Sequence, residues 1–381
     1  MADAQYDLAY MPYLSMHHVP EFVFGRARVW NLDVSAECIF DTALRDRVRA
    51  LLGMHRRPSR QPTQTRALAG IGVLAVGDAD QRHLTPVENR GILALQRALF
   101  LCCLSRNARL RGPNAGHAVV TAENFDIIRQ TFTLTSEYVS EQVGVIVNMN
   151  QMGYKIANSV FIAPAHVHLP LQCHWDEHLH AELQALSRTD RRLQRKILAA
   201  AEVMRASYYN SHNLDITARV LLQAAAFEVL FDLPEKFPRL AFKDTVERLL
   251  NRPHERRLRF KYEVFGRLKE EQRSVKGMWA DRFYTLRNHL VHGHLVRNTE
   301  FKFRGLQHHL AIAPMVFTVA IKKLIDESRA QRGQAPVCDV FLHWNRASDR
   351  RHDEDDPPGF SVDSDWHGIH TRATSGRRRR R

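Results

Sequence analysis

Between Lys276 and His294 the apolar residues Trp279, Phe283, Leu286 and Leu290 recur at i, i+4, i+7 and i+11, which is one face of an amphipathic helix. Gly293 follows where the C-terminus of such a helix would want it. The same 3.6-residue period predicts a helix over 190–207, carried by Leu193, Ile197, Ala200, Ala201 and Met204. It predicts another over 215–231, carried by Val220, Ala224, Phe227 and Phe231 and stopped by Pro234. Residues 237–250 and 257–271 read as a further helical region broken near Pro253, and 306–325 as a last helix that Pro314 either kinks or splits. These elements define an all-α bundle of four or five helices over residues 186–330.

The pattern before that bundle is different. Phe22 to Leu32 has β-type alternation with a glycine in it, consistent with a hairpin or bulged strand, and Leu68 to Val76 is a candidate buried strand. Arg56 to Thr65 and Arg106 to Gly116 read as loops, and 143–147 and 159–162 as further short strands. Thr85-Pro86 opens a helix, with Thr85 as N-cap and Pro86 at its first position. The expected class is therefore α+β, with a mixed α/β domain of unassigned fold over 1–165 and a His-rich linker over 166–185. The helical domain over 186–330 and a disordered basic tail over 331–381 follow.

Composition adds a direction. The 55 Lys plus Arg residues against 41 Asp plus Glu give a formal charge of +14, and ten lysines leave 45 arginines. Such a balance favours an acidic polymer as partner, although an arginine excess is also what compositional bias alone produces. The five cysteines are odd in number and contain no CxxC, which argues for a reducing compartment without a disulfide framework. The N-terminus is acidic without an apolar run, and the most apolar stretches are too short or interrupted by Gln96-Arg97. A cytoplasmic protein with no membrane partner is expected.

Candidate chemistry gathers on the face opposite the apolar stripe, at Tyr284, Arg287, Asn288 and His292. Cleaving RNA without a metal needs an in-line 2′-hydroxyl, a proton acceptor or donor, and positive charge on the phosphorane oxygens. His292 suits the acid or base role and Arg287 the charge role, since a guanidinium can hold two phosphate oxygens at once. Asn288 would orient the phosphate or the attacking hydroxyl, and Tyr284 would stack or hydrogen-bond nearby. Glu228, in Ala-Phe-Glu-Val-Leu-Phe, needs a partner or an exposed position; Arg287 is one such partner. His289 and His294 have weaker claims. Five residues of uninterrupted helix turn by about 500°, so Arg287 and His292 would point roughly 140° apart. They converge only if the helix ends before His292, or if each meets its counterpart from a second chain. A plainer account is a helix C-terminus with basic residues placed favourably on its dipole.

Leu-Arg-Asn-His-Leu-Val-His-Gly (286–293) resembles the Arg, polar residue, short spacer, His signature of HEPN domains, and its flanks are most similar to the Apea-like group. Ala-Ala-Ala-Phe-Glu-Val-Leu-Phe (224–231) resembles that family's Ala-x-Glu-x-Leu helix, and the resemblance covers about residues 185–330. It implies a metal-independent endoribonuclease of phage defence or toxin-like growth arrest, with Arg287, Asn288 and His292 as catalytic residues. Glu228, Tyr284 and His289 would support them. It further implies a homodimer whose two motifs share one cleft, RNA as substrate, no cofactor, and an antitoxin or trigger that keeps the enzyme quiet. Residues 1–165 would then sense a trigger or select the substrate. The alternative is a catalytically silent HEPN module for dimerisation and RNA or nucleotide binding.

A second cluster, His166, His168, Cys173, His174, Asp176, Glu177, His178 and His180, contains zinc-type ligands without a regular spacing, and the same residues also suit an ordinary polar linker. His-x-x-His-x-His at 289–294 lacks a neighbouring Cys or acid in sequence. Gly70-x-Gly72-x4-Gly77 misplaces the third glycine of a dinucleotide fingerprint, and Walker A, GxSxG and HExxH motifs are absent. No bound cofactor or metal is expected.

Overall fold

Tyr6, Leu8 and Tyr10 alternate along the first strand with Ala9 and Met11, so both faces of that strand are apolar, which is the pattern of a strand covered on two sides. A computed structural model describes residues 5–16, 19, 21–31, 42–58, 65–67, 71–74, 85–107, 120–134, 138–143, 152–155, 161–162, 171–209, 214–250, 257–264, 267–303 and 307–336. The chain divides into two units, the first comprising 1–103, 118–175 and 208–213, the second 104–117, 176–207 and 214–381. Mixed α+β architecture is as expected from the sequence. Among the described residues, no helix is long and apolar enough to cross a membrane.

In the first unit the strands are β1 (Gln5–Ser15), β2 (Glu21–Phe24), β3 (Ala27–Asn31), β4 (His55–Pro58), β5 (Thr65–Ala67), β6 (Ile71–Leu74), β7 (Ile128–Thr133), β8 (Tyr138–Val143), β9 (Met152–Lys155), β10 (Phe161–Ile162) and β11 (Leu171–Gln172). The main sheet has the order β2-β3-β6-β1-β7-β8-β9, antiparallel throughout, with β11 joined in parallel to the end of β1; β10, β4 and β5 form a separate sheet. Helix α1 (Thr42–Leu52) lays Leu44, Val48, Leu51 and Leu52 against Leu8, Tyr10, Ile128 and Phe132. Burial of each such side chain stabilises by about 1.5–3 kcal/mol. Helix α2 (Pro86–Asn107) starts as expected: Thr85 Oγ1 accepts from the Glu88 amide at 3.2 Å, and the Glu88 carboxylate accepts from the Thr85 amide at 2.6 Å. The hairpin expected at 22–32 is β2–β3. Residues 56–65, read as a loop, instead include β4 and the start of β5. The expected loop at 106–116 and the strand beyond Val143 lie largely outside the described residues.

The second unit contains α3 (Glu177–Thr189), α4 (Arg191–Ala206), α5 (Ile216–Phe231), α6 (Pro238–Leu250), strands β12 (Leu258–Val264) and β13 (Arg267–Arg273), α7 (Val275–Val291), strands β14 (Lys302–Phe303) and β15 (Gln307–His308), and α8 (His309–Gln331). Asp176, Asp190, Asp215 and Ser274 cap the starts of α3, α4, α5 and α7 through side-chain oxygens. Phe227 is the centre of the core, with ring centroids 5.2 Å from Phe242, 5.5 Å from Phe317 and 6.1 Å from Phe283, while Trp279 stacks on Phe283. Polar ties hold α8 along the caps: Lys322 pairs with Asp176, Ser328 Oγ donates to Asp190 at 2.7 Å, and Arg329 pairs with Glu182 at 3.3 Å.

Two expectations are corrected here and a third is narrowed. The region is not all-α, because 258–273 is an antiparallel hairpin; Leu258, Phe260, Tyr262 and Val264 alternate with charged residues at a period of two, which a helical reading ignores. The stretch 166–185, read as linker, is helical from Glu177 onwards, since Leu179, Leu183 and Leu186 form a buried stripe. Of the two outcomes expected at Pro314, a kink or a split, the split does not occur, because α8 runs unbroken from His309 to Gln331; at the sixth residue, few intrahelical amide bonds precede the proline. The expected basic tail lies outside the described residues beyond 336.

Gly277, in the first turn of α7, is required by close approach. Glu247 Oε1 reaches past it to accept from both the amide and the hydroxyl of Ser274 at 2.9 Å, and a Cβ on residue 277 would collide with that carboxylate. Gly277→Ala is therefore expected to destabilise by about 1–3 kcal/mol despite alanine's better helix propensity. Chemical denaturation measures it; a variant as stable as wild type would show that Glu247 relaxes freely.

Candidate active site at the end of α7

Helix α7 ends through a left-handed glycine. His292 is the cap residue, Gly293 has φ +69°, the Gly293 amide donates to the Leu290 carbonyl at 3.2 Å and the His294 amide to the His289 carbonyl at 2.9 Å. This is a Schellman turn, and the apolar contact that usually closes it is here the His289 and His294 rings, 5.5 Å apart. The turn presents His292 and His294 to solvent with their rings edge to face at 6.2 Å.

One helical turn back, the structure brings four of the singled-out residues together. Glu228 Oε1 on α5 receives the Tyr284 hydroxyl at 2.6 Å and the Arg287 Nη2 at 3.0 Å. Arg287 Nη1 also donates to Asn288 Oδ1 at 3.3 Å, and the guanidinium carbon lies 5.4 Å from the centre of the Tyr284 ring. Burial, reinforced by the hydrogen bond to Glu228 and its negative charge, pushes the Tyr284 phenol well up, so it remains a neutral donor. The Arg287 and Glu228 side chains are partly exposed, at 26% and 29%.

His289 and His292 stand apart from this group. His289 Nδ1 faces Glu300 Oε2 at 3.5 Å, a partner that carries no signal in the sequence because it lies in the loop after α7. The His292 side chain makes no hydrogen bond with a described residue; α7 ends at Val291 with His292 as its cap, and no hydrogen bond or ring contact joins the His292 and Arg287 side chains. The basic end of α7 also fits the plainer account of cations on a helix C-terminus. His309, which sequence reading passed over, is buried behind the site with its ring 5.7 Å from Phe283 and 6.4 Å from Trp279. Burial first, then His308 and Arg282, lower its pKa to about 3.

Of the His/Cys cluster near 166–180, Cys173 is buried and Asp176 is occupied as the α3 cap and the partner of Lys322. Among the described residues no three His, Cys, Asp or Glu side chains are placed to hold a metal ion. Comparison with protein-family models, with curated proteins and with solved structures found no match for this chain.

Proposed function

We propose that the second unit is a metal-independent endoribonuclease of the HEPN type acting in phage defence or toxin-like growth arrest. The observation that carries this reading is the Tyr284–Glu228–Arg287 group one helical turn before the exposed His292. Glu228 and the Tyr284 ring hold the partly exposed guanidinium, a group whose geometry suits two non-bridging phosphate oxygens. An imidazole at His292 would take the proton from the 2′-hydroxyl or give one to the departing 5′-oxygen, leaving a 2′,3′-cyclic phosphate and a 5′-hydroxyl. Asn288, beside the guanidinium, would orient the phosphate, and His289 would sit at the margin with Glu300.

Because no hydrogen bond or ring contact joins Arg287 and His292 within one chain, the reading includes a homodimer in which each motif faces its counterpart. The exposed Val291 and Leu295 next to His292 suit such pairing. The first unit is then the regulatory part, and an antitoxin or trigger the controlling partner. His292→Ala and Arg287→Ala are each expected to lower RNA cleavage by about 10²-fold or more while the fold is kept. An assay with EDTA present, mapping the termini produced, checks this, and normal cutting by both variants would place the site elsewhere.

The ion pair itself favours a second reading, since a guanidinium already engaged by Glu228 has less to offer a phosphate. In that case the domain is a silent module for dimerisation and RNA binding, and the folded chain binds RNA without creating new ends.

A further inference from the structure

The turn from α3 into α4 places Arg188, Arg191, Arg192, Arg195 and Lys196 together, and the four arginines are exposed. None of the five makes a hydrogen bond or ion pair with a described residue. Arg192 acts through space on Asp190, but that carboxylate is occupied by the Leu193 amide at 3.0 Å and the Ser328 hydroxyl. At 100° per residue, Arg191, Arg192, Arg195 and Lys196 span an arc of about 140°. The buried face, Gln194, Ile197, Leu198, Ala201 and Met204, occupies the opposite side.

This arrangement weakens the helix that carries it. Arg191 and Arg195, and Arg192 and Lys196, are like charges four residues apart, and the first turn is the positive end of the helix dipole. Among the described residues no ion pair offsets the repulsion beyond the through-space action of Asp190 on Arg192, so an anion outside them is a natural counterpart. The exposed large apolar side chains of the described residues all lie elsewhere, at 87, 134, 216, 229, 237, 291 and 295. A protein-binding face usually centres on apolar or aromatic anchors, whereas a phosphate backbone asks for guanidinium groups alone.

Position supplies the second argument. α4 and α5 pack against one another. The arginine face is thus carried on the helix that packs against the one whose Glu228 holds Arg287. We propose that the arginine face of the α3–α4 turn binds the phosphate backbone of the RNA strand that enters the site at Arg287 and His292. The substrate is thereby a single strand of several nucleotides held largely by its backbone, a conclusion that rests on the endoribonuclease reading for its chemistry.

The test uses the full chain and a short single-stranded 2′-O-methyl RNA, which binds but lacks the attacking hydroxyl, with affinity read by fluorescence anisotropy across salt concentrations. The combined variant Arg188→Gln, Arg191→Gln, Arg192→Gln, Arg195→Gln is expected to bind at least about tenfold more weakly, and the slope of log K against log salt should be shallower by about 3. Its unfolding midpoint should equal or exceed that of wild type, because repulsion is relieved. Unchanged affinity and slope overturn the proposal, as does weakened binding accompanied by a lowered midpoint. Loss of binding in a chain that never cuts unmodified RNA would retain the arginine face and discard the catalytic reading. Full cutting with unchanged binding would do the reverse.

Discussion

Lowering the pH from 7 to about 5 is expected to remove about 2 kcal/mol of stability from the second unit through His309 alone, and a similar amount from the first unit through His55. His309 is 1% exposed and packs on Trp279, Phe283 and Phe303, with no hydrogen-bond partner at Nδ1 among the described residues. His55, also 1% exposed, shares a hydrogen bond with the Tyr10 hydroxyl, and burial lowers its pKa to about 4. Both folded-state values lie below the ordinary 6.5, so between them the unfolded chain binds more protons than the folded one. Stability is thus fully present above about pH 6.5 and falls as the pH drops toward the folded values.

The carboxylates that cations hold down act in a lower window. Asp281, whose carboxyl pKa is raised by burial, acts in the opposite sense and is common to wild type and variant. Burial alone would raise the Asp176 and Glu271 carboxyls, but Lys322 in one case and Arg273 with Lys243 in the other hold them below their ordinary 3.8 and 4.5. Their contribution is therefore intact at about pH 5 and is lost only on further acidification. His309→Phe keeps an aromatic ring in the Trp279–Phe283 cluster and removes the titrating group. The variant should match wild type near pH 7 and retain the missing 2 kcal/mol or so near pH 5, as measured by urea unfolding at both values. Equal losses in variant and wild type would mean that His309 titrates outside this range.

The legible parts of the sequence were those in which one physical signal dominated. Trp279, Phe283 and Leu286 are buried as the helical period requires, and Thr85, Asp215 and Gly293 terminate helices as their chemistry suggests. The pairing of Glu228 with Arg287 was one of two readings the sequence left open, the other being an exposed position, and the structure shows the pair with both side chains partly exposed. The central strand was not legible. Pro12 interrupts Gln5–Ser15, and both faces are apolar, so neither alternation nor propensity marks it; the ladder with β6 slips between Met11 and Ser15, where the proline is accommodated. In hairpin β12–β13 the first strand carried a period-two signal that the helical reading overlooked, but the second did not: Lys243 and Asp244 on α6 bind Glu271 and Arg273, contacts that convert a charged segment into a docked strand. Tertiary pairing of that kind leaves no local trace.

Glu228→Gln is the substitution expected to separate positioning from chemistry. Glutamine keeps an oxygen for the Tyr284 hydroxyl, so the α5–α7 contact survives, but it withdraws the charge that draws Arg287 Nη2 to 3.0 Å. A guanidinium released by as little as about 1 Å from the phosphorane costs on the order of a hundredfold in rate. The expected result is a fall of that size in kcat for RNA cleavage with KM within a few-fold of wild type, since ground-state affinity would come mainly from backbone contacts elsewhere. Glu228→Ala would in addition leave the Tyr284 hydroxyl without its acceptor and lower stability by about 1–3 kcal/mol, so the two variants distinguish a positioning defect from a folding defect. A rise in cleavage by Glu228→Gln would sink the positioning role. It would instead make the ion pair a restraint on Arg287, one that an arriving phosphate must displace before the bond to the 5′-oxygen can break.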